Sequence, residues 1–316
     1  MKSAICTLFE GNYHFGVATL INSAAKQGFK GAFYVGYKGK LPEWSQLAIA
    51  DSSLAWEGAK TLTLDSELKV HFLPVTISHH LTNYKQEFML ELFAGLGKEC
   101  DNIAYFDPDI VIKSRWDFFE TWMSHGVALI HEIVNVDMPP THPIRREWEK
   151  VASLIDRVAT RQLYSYINAG FIGVPRRCIE FLELYRDIMN VAKTHYHFND
   201  SNFLFTSDRS NVFFGKDQDV LNIAAMCCEC PISEMGPEAM DFMSGGFTMS
   251  HAVGSPKPWT KNFALAALKG VPPSMAEKVY WANVNGPISI FTNLKIKMAM
   301  ISLKFAALVG RFYKRN

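Results

Sequence analysis

Two aspartates separated by a single proline, Asp107-Pro108-Asp109, follow the apolar run Ile103-Ala104-Tyr105-Phe106 and precede Ile110-Val111-Ile112. An apolar run bounded by turn residues reads as a buried strand. Residues two apart on extended backbone point the same way, so both carboxylates can face one point just past a sheet edge. Carboxylates that close repel each other unless a cation lies between them. The intervening proline fixes its own φ and cannot extend a ladder. The chemistry indicated is a divalent-metal site at a strand end.

Other readings of the pair stay open at this point. Asp favours turns, so two surface turn aspartates give the same pattern. A phosphatase of the haloacid dehalogenase type also carries Asp-x-Asp after a strand, with the first Asp (here Asp107) as nucleophile, though usually near the start of the chain. The segment that discriminates is Ser250-His251-Ala252-Val253-Gly254-Ser255-Pro256-Lys257-Pro258-Trp259. It offers an imidazole, a glycine that lets backbone approach a ligand, and a lysine whose compact charge suits phosphate. Imidazole favours manganese over magnesium, which prefers oxygen. Tyr166 to Val174 places Asn168 before a small, open Ala169-Gly170 turn, or simply a bulge at Gly170. Lys216 to Asn222 sets Asp217, Gln218 and Asp219 at a helix start, where acids also suit the helix dipole.

The elements that must position these residues alternate in type. Ser3–Phe9 reads as a strand, and Asn12–Lys26 as a helix stopped by Gly28. Strands at 32–36 and 69–75 follow, then a helix over 83–96 and the strand that carries the two aspartates. Such alternation predicts an α/β fold with a mostly parallel, Rossmann-like sheet flanked by helices. Beyond it, the pattern predicts strands at 127–131, 166–174 and 245–249. Helices are predicted from about Arg145 to Arg161, over 178–192, and at 219–226. One domain over residues 1–270 with an appended basic, helical segment over 271–316 is the simplest organisation.

The order of these motifs resembles the family 8 glycosyltransferases, which are retaining, metal-dependent enzymes of the GT-A fold. The matching residues are Asn12-Tyr13, Asp107-Pro108-Asp109, Asn168-Ala169-Gly170, Asp217-Gln218-Asp219 and His251 through Trp259, together spanning roughly residues 3 to 260. Two places depart from the family pattern. Glu10-Gly11 stand where many members have two acids, and Tyr84-Lys85 stand where an arginine is frequent. The resemblance implies that Asp107, Asp109 and His251 bind Mn²⁺ (or Mg²⁺), which bridges the diphosphate of a nucleotide sugar, most simply a UDP-hexose. It implies that Glu10, Asn12 and Tyr13 meet the base, and that Gly254 and Lys257 meet the phosphates. Lys85 is expected on phosphate or sugar, and Asn168, Asp217 and Gln218 along the sugar. Gln218 and Asp217 are the residues nearest the reaction. The hexose would pass to a glycan or glycolipid acceptor, as in lipopolysaccharide synthesis, with retention of anomeric configuration. A catalytically inactive carbohydrate-binding protein is the non-enzyme alternative.

Composition excludes little but fits. The chain has 316 residues, 48% hydrophobic and 20% charged, with a formal net charge of +1 that gives no pull toward nucleic acid. Its six cysteines lack the spacing of a disulfide framework or a zinc site, so reduced, buried thiols are expected. The amino terminus does not read as a signal peptide, and no apolar run reaches the ~20 residues of a membrane span. A cytoplasmic protein is expected. Its tail, 295–315, is free of acids and sets Lys297, Lys304 and Arg311 on one helical face, with Met298, Ile301, Phe305, Leu308 and Phe312 on the other. Such a helix either lies on an anionic membrane, here the inner face, or packs on the domain. The stretches 131–165 and 195–215 are expected to shape the acceptor pocket.

Overall fold

A computed structural model of the protein describes residues 1–133, 138–201 and 208–313. Strand β1 (Ser3–Glu10) alternates its side chains between two layers, with Ala4, Cys6 and Leu8 in one and Ile5 and Phe9 in the other. Helix α1 (His14–Lys26) covers the second layer and leads into β2 (Gly31–Lys38). The short antiparallel pair β3 (Ile49–Ala50) and β4 (Lys60–Thr63) precedes β5 (Leu68–Pro74), and α2 (Lys85–Ala94) covers the first layer. Next come β6 (Asn102–Phe106), β7 (Ile110–Ile112), α3 (Trp116–Ser124), β8 (Val127–His131), α4 (Pro143–Ser153) and β9 (Ile167–Pro175). The chain continues through α5 (Glu180–His195), α6 (Asp217–Cys227), β10 (Ile232–Met235) and β11 (Met249–His251). Three helices complete it: α7 (Phe263–Leu268), α8 (Met275–Ala282) and α9 (Asn293–Val309).

Among the described residues nine strands form one sheet in the order β10-β8-β9-β6-β1-β2-β5-β4-β3. β5, β2, β1 and β6 run parallel, β8 and β10 run parallel to each other, and β9 is antiparallel to both its neighbours. The mostly parallel α/β sheet expected from the sequence is therefore present. Wholly buried Phe33, Phe72 and Phe88 anchor the two layers, each burial favouring the fold by ~1.5–3 kcal/mol. A third, smaller core lies under α7, α8 and α9, where Trp259, Phe263, Tyr280, Trp281 and Leu303 meet Val111. Asn22 of α1 ties this region down: its amide donates to the Val284 and Ile288 carbonyls and accepts from Ile288 N–H.

Several local expectations are corrected. The run 103–112 is two strands, because Asp107-Pro108-Asp109 forms a turn in which Ile110 N–H bonds back to the Asp107 carbonyl at 3.1 Å. The aspartates thus converge through a turn rather than along one extended strand. The helix expected to reach Arg161 starts on Pro143, preset for a first turn, and stops at Ser153. There Asp156 takes a left-handed φ of 55° and Arg157 N–H returns to the Ala152 carbonyl, a Schellman-type stop. The strand expected over 245–249 begins only at Met249, since Gly245 has φ 98°. The pair β3/β4 was not visible in sequence, being short and polar at the sheet edge. All six cysteines are free and buried, as expected.

Candidate active site

One edge of the sheet collects the chemistry. β1 ends at Glu10, β6 at Phe106 and β8 at His131, while antiparallel β9 begins there with Ile167 and Asn168; α2 and α6 start nearby, at Lys85 and Asp217. Ligands of open α/β sheets bind outside the carboxyl ends of the strands. A cavity of about 410 Å³ opens at this edge, lined by Glu10, Tyr13, Lys85, Asn168, Gln218 and Lys257 among others.

The turn carrying the two aspartates is clamped on both sides. Asp107 N–H donates to the Gly170 carbonyl at 2.7 Å, and Ala252 N–H donates to the Asp109 carbonyl at 3.1 Å. α1 lies so close that a methyl at Gly16 would overlap the Pro108 carbonyl oxygen. β7 and β11 then form a two-stranded antiparallel ribbon in which His251 stands opposite Ile110. That register brings the imidazole to the aspartates. His251 Nε2 lies 3.2 Å from Asp109 Oδ1 and 3.8 Å from Asp107 Oδ2. One ligand atom from each of the three residues falls within 4.8 Å of the others. A methyl at Gly170 would strike the His251 ring, so glycine is required where β9 passes beneath it. Two carboxylate oxygens and an imidazole nitrogen at one point fit a divalent cation such as Mn²⁺.

Burial drives the Asp109 carboxyl upward, but the neighbouring His251 and Lys257 charges outweigh this and hold it well below the usual carboxylate range. Lys257 Nζ bonds Asp109 Oδ2 at 2.5 Å and the Ala252 carbonyl at 2.9 Å. Its ammonium also sits 5.6 Å from the centre of the Tyr13 ring, which packs edge-on against Trp259. Gly254 adopts φ 80° with open space beside it.

Lys85 is buried. Its ammonium donates to the Ala169 carbonyl at 2.9 Å and lies 3.0 Å from Asp217 Oδ2 and 3.3 Å from Asp107 Oδ1. An ammonium has three hydrogens, and three acceptors surround it. Burial lowers its affinity for a proton, yet the two carboxylates more than restore it, so it stays charged. Asp217 shifts upward through burial, offset in part by Lys85. The Asp107 carboxylate also accepts from Tyr105 Oη at 2.9 Å.

Asn168 and Gln218 meet directly: Asn168 Nδ2 donates to Gln218 Oε1 at 2.9 Å, and Ala169 N–H donates to the same oxygen at 3.1 Å. Glu10 is half-buried, with Oε1 3.6 Å from His80 Nε2. Asn12 is exposed on the turn Gly11–Tyr13 and does not line the cavity. Sequence reasoning missed Glu132, Tyr105 and His80, which do line it. None belongs to a spaced motif; the one available signal was position at or just past the end of a predicted strand, for Glu132 and Tyr105. Of the stretches expected to shape an acceptor pocket, residues 134–137 and 202–207 lie outside the described residues.

No protein-family model and no curated protein sequence matches this chain. Solved structures do match. The bifunctional glycosyltransferase WbbM, in its apo form, gives a TM-score of 0.52 at 14% identity over 95% of this chain and 52% of its own. The glycosyltransferase GlyE of Streptococcus pneumoniae TIGR4 gives 0.52 at 13% identity over 96% of this chain and 64% of its own. The galactosyltransferase LgtC, solved with donor and acceptor sugar analogues, gives 0.48 at 14% identity, covering 94% and 99%. The chain thus spans about half of the WbbM chain and under two thirds of GlyE. The likeness to WbbM and GlyE establishes the fold, the GT-A type of α/β architecture.

Proposed function

We propose that the protein is a metal-dependent, retaining glycosyltransferase that moves a hexose from a UDP-linked donor to a glycan or glycolipid acceptor. The observation that carries this reading is the convergence of Asp107, Asp109 and His251 beside Lys257 at the carboxyl edge of the sheet. A divalent cation held there supplies Lewis-acid neutralisation of the charge that develops on the leaving diphosphate. Lys257 and the backbone at Gly254 add fixed positive potential to the same oxygens. Tyr13 offers its ring to the base, with Glu10 as a further base contact. Lys85, its hydrogens already taken, acts by holding Asp107 and Asp217 in place.

Retention without a free nucleophile favours front-face attack. Asp217 is paired with Lys85, and the Gln218 oxygen already accepts two N–H groups. The acceptor oxygen forms its bond to the anomeric carbon as the bond to the diphosphate oxygen breaks, and the acceptor proton passes to that departing oxygen. A phosphatase using Asp107 leaves the placement of His251 and Lys257 unexplained. The retention of all the candidate cation ligands speaks against a catalytically inactive carbohydrate-binding protein. A lipid-borne acceptor is supported by α9, whose outward face is apolar and whose charges are all basic.

Calorimetry of UDP with and without Mn²⁺, on the wild type and on Asp109→Asn, tests the reading. Metal-dependent binding that the variant loses is expected. Binding indifferent to metal, or unaltered by the substitution, would remove the donor-site assignment.

A further inference from the structure

Glu132 follows β8, is 7% exposed and lines the cavity on its sugar side, beside Asn168 and Gln218. Among the described residues its hydrogen-bond partners are both N–H donors: Ile133 N–H at 2.8 Å on Oε1, and Asn168 Nδ2 at 2.5 Å on Oε2. A carboxylate offers about four lone-pair sites, so about half of them have no partner among the described residues.

The two amides beside it have orientations dictated by backbone. Gly170 N–H needs an acceptor and meets Asn168 Oδ1 at 2.8 Å, which turns Asn168 Nδ2 toward Glu132 and Gln218. Ala169 N–H likewise fixes Gln218 Oε1 inward. The Gln218 oxygen is then filled by two donors. What Gln218 presents to the cavity is its Nε2, a donor only, for which the described residues supply no acceptor.

The geometry points to Glu132 as a specificity-determining residue. Its open oxygen sites and the Gln218 Nε2 form an acceptor–donor pair that reads one hydroxyl of the transferred sugar. That hydroxyl donates to Glu132 and accepts from Gln218 at the same time. Fluorine in its place can only accept, and hydrogen can do neither. A site built to bond a hydroxyl rejects analogues that lack it, because its own polar groups are left unpaired. This assignment rests on the nucleotide-sugar reading above.

The test is calorimetry with Mn²⁺, using UDP, UDP-glucose, UDP-galactose and the deoxy and deoxyfluoro analogues at each ring hydroxyl. The proteins are the wild type, Glu132→Gln and Glu132→Ala. One ring position is expected at which both replacements weaken wild-type binding by about tenfold or more. In Glu132→Gln the fluoro analogue and its parent should bind alike at that position, while affinity for UDP itself stays at the wild-type level. Glu132→Gln keeps the shape and one acceptor, so it decides the matter if Glu132→Ala fails to fold. Unchanged discrimination in Glu132→Gln would overturn the assignment. Absence of UDP binding by the wild type would instead overturn the donor reading, and the assignment with it.

Discussion

At the scale of single residues, the site is a set of charges whose partners lie far apart in the chain. Asp107 and Asp109 were legible because spacing alone signalled them. His251 was legible through its ordered company, Gly254, Lys257 and Trp259. Lys85 could be placed by resemblance, but its burial between Asp107 and Asp217 could not, since ion pairing depends on packing rather than on local pattern. Gly16 carries no signal in sequence and Gly170 reads only as an open turn or a bulge; the approach of Pro108 and of His251 explains them. Asp219 closes the Asp217-Gln218-Asp219 motif, and it accepts from Tyr166 Oη at 2.8 Å and from Gly215 N–H. Burial pushes its carboxyl up to about 7 from an ordinary 3.8. A carboxyl raised in the folded state favours folding below its unfolded value, and that contribution is lost as pH rises through the folded value. Denaturation midpoints should therefore fall more between about pH 4 and pH 7, the window of that shift, for the wild type than for Asp219→Asn. Equal changes would show that Asp219 ionises as freely folded as unfolded.

At the scale of elements, the devices that matter are short. The turn at Pro108 and the ribbon of β7 and β11 do more to place ligands than any long helix does. Sequence patterning reads long periodic segments well and such pieces poorly, which is why the turn at Asp107-Pro108-Asp109 reads as extended backbone. Helix α9 has two readings, lying on an anionic membrane or packing on the domain. It packs through Leu303 and Ala306, while Met298, Ile301, Phe305 and Leu308 remain 49–67% exposed. Phe312 just beyond is 82% exposed, and of the basic tail Lys314 and Arg315 lie outside the described residues. No described helix is long and apolar enough to cross a membrane. If α9 rests on an anionic surface, Ile301→Asp with Phe305→Asp should abolish co-sedimentation with phosphatidylglycerol vesicles and leave UDP affinity unchanged. Undiminished co-sedimentation by the double variant would exclude this face. Substitution on an exposed row changes stability little, so a folding defect is not expected to intervene.

At the scale of the whole molecule, the sheet acts as a collecting edge: strands from the first and second halves of the chain deliver Glu10, Asp107, Glu132 and Asn168 to one rim. The α/β class was legible from alternation of strands and helices. The strand order was not, because β9 enters antiparallel between β6 and β8, and nothing local announces a reversal of direction. The ribbon of β7 and β11 has one more consequence. Asp109 and His251 are about 140 residues apart, so a cation shared by them would be a removable cross-link closing a very long loop. It would fasten the helical body around Trp259 and Tyr280 to the amino-terminal half. Since the unfolded chain offers no such site, Mn²⁺ at about 100 times its dissociation constant should stabilise the fold by about 2.7 kcal/mol. Melting should rise by several degrees over a chelator control, with amide exchange slowed at Met249–His251 and in α8. Asp109→Asn should lose both effects, and a melt indifferent to the ion would mean that the two halves hold together without the staple.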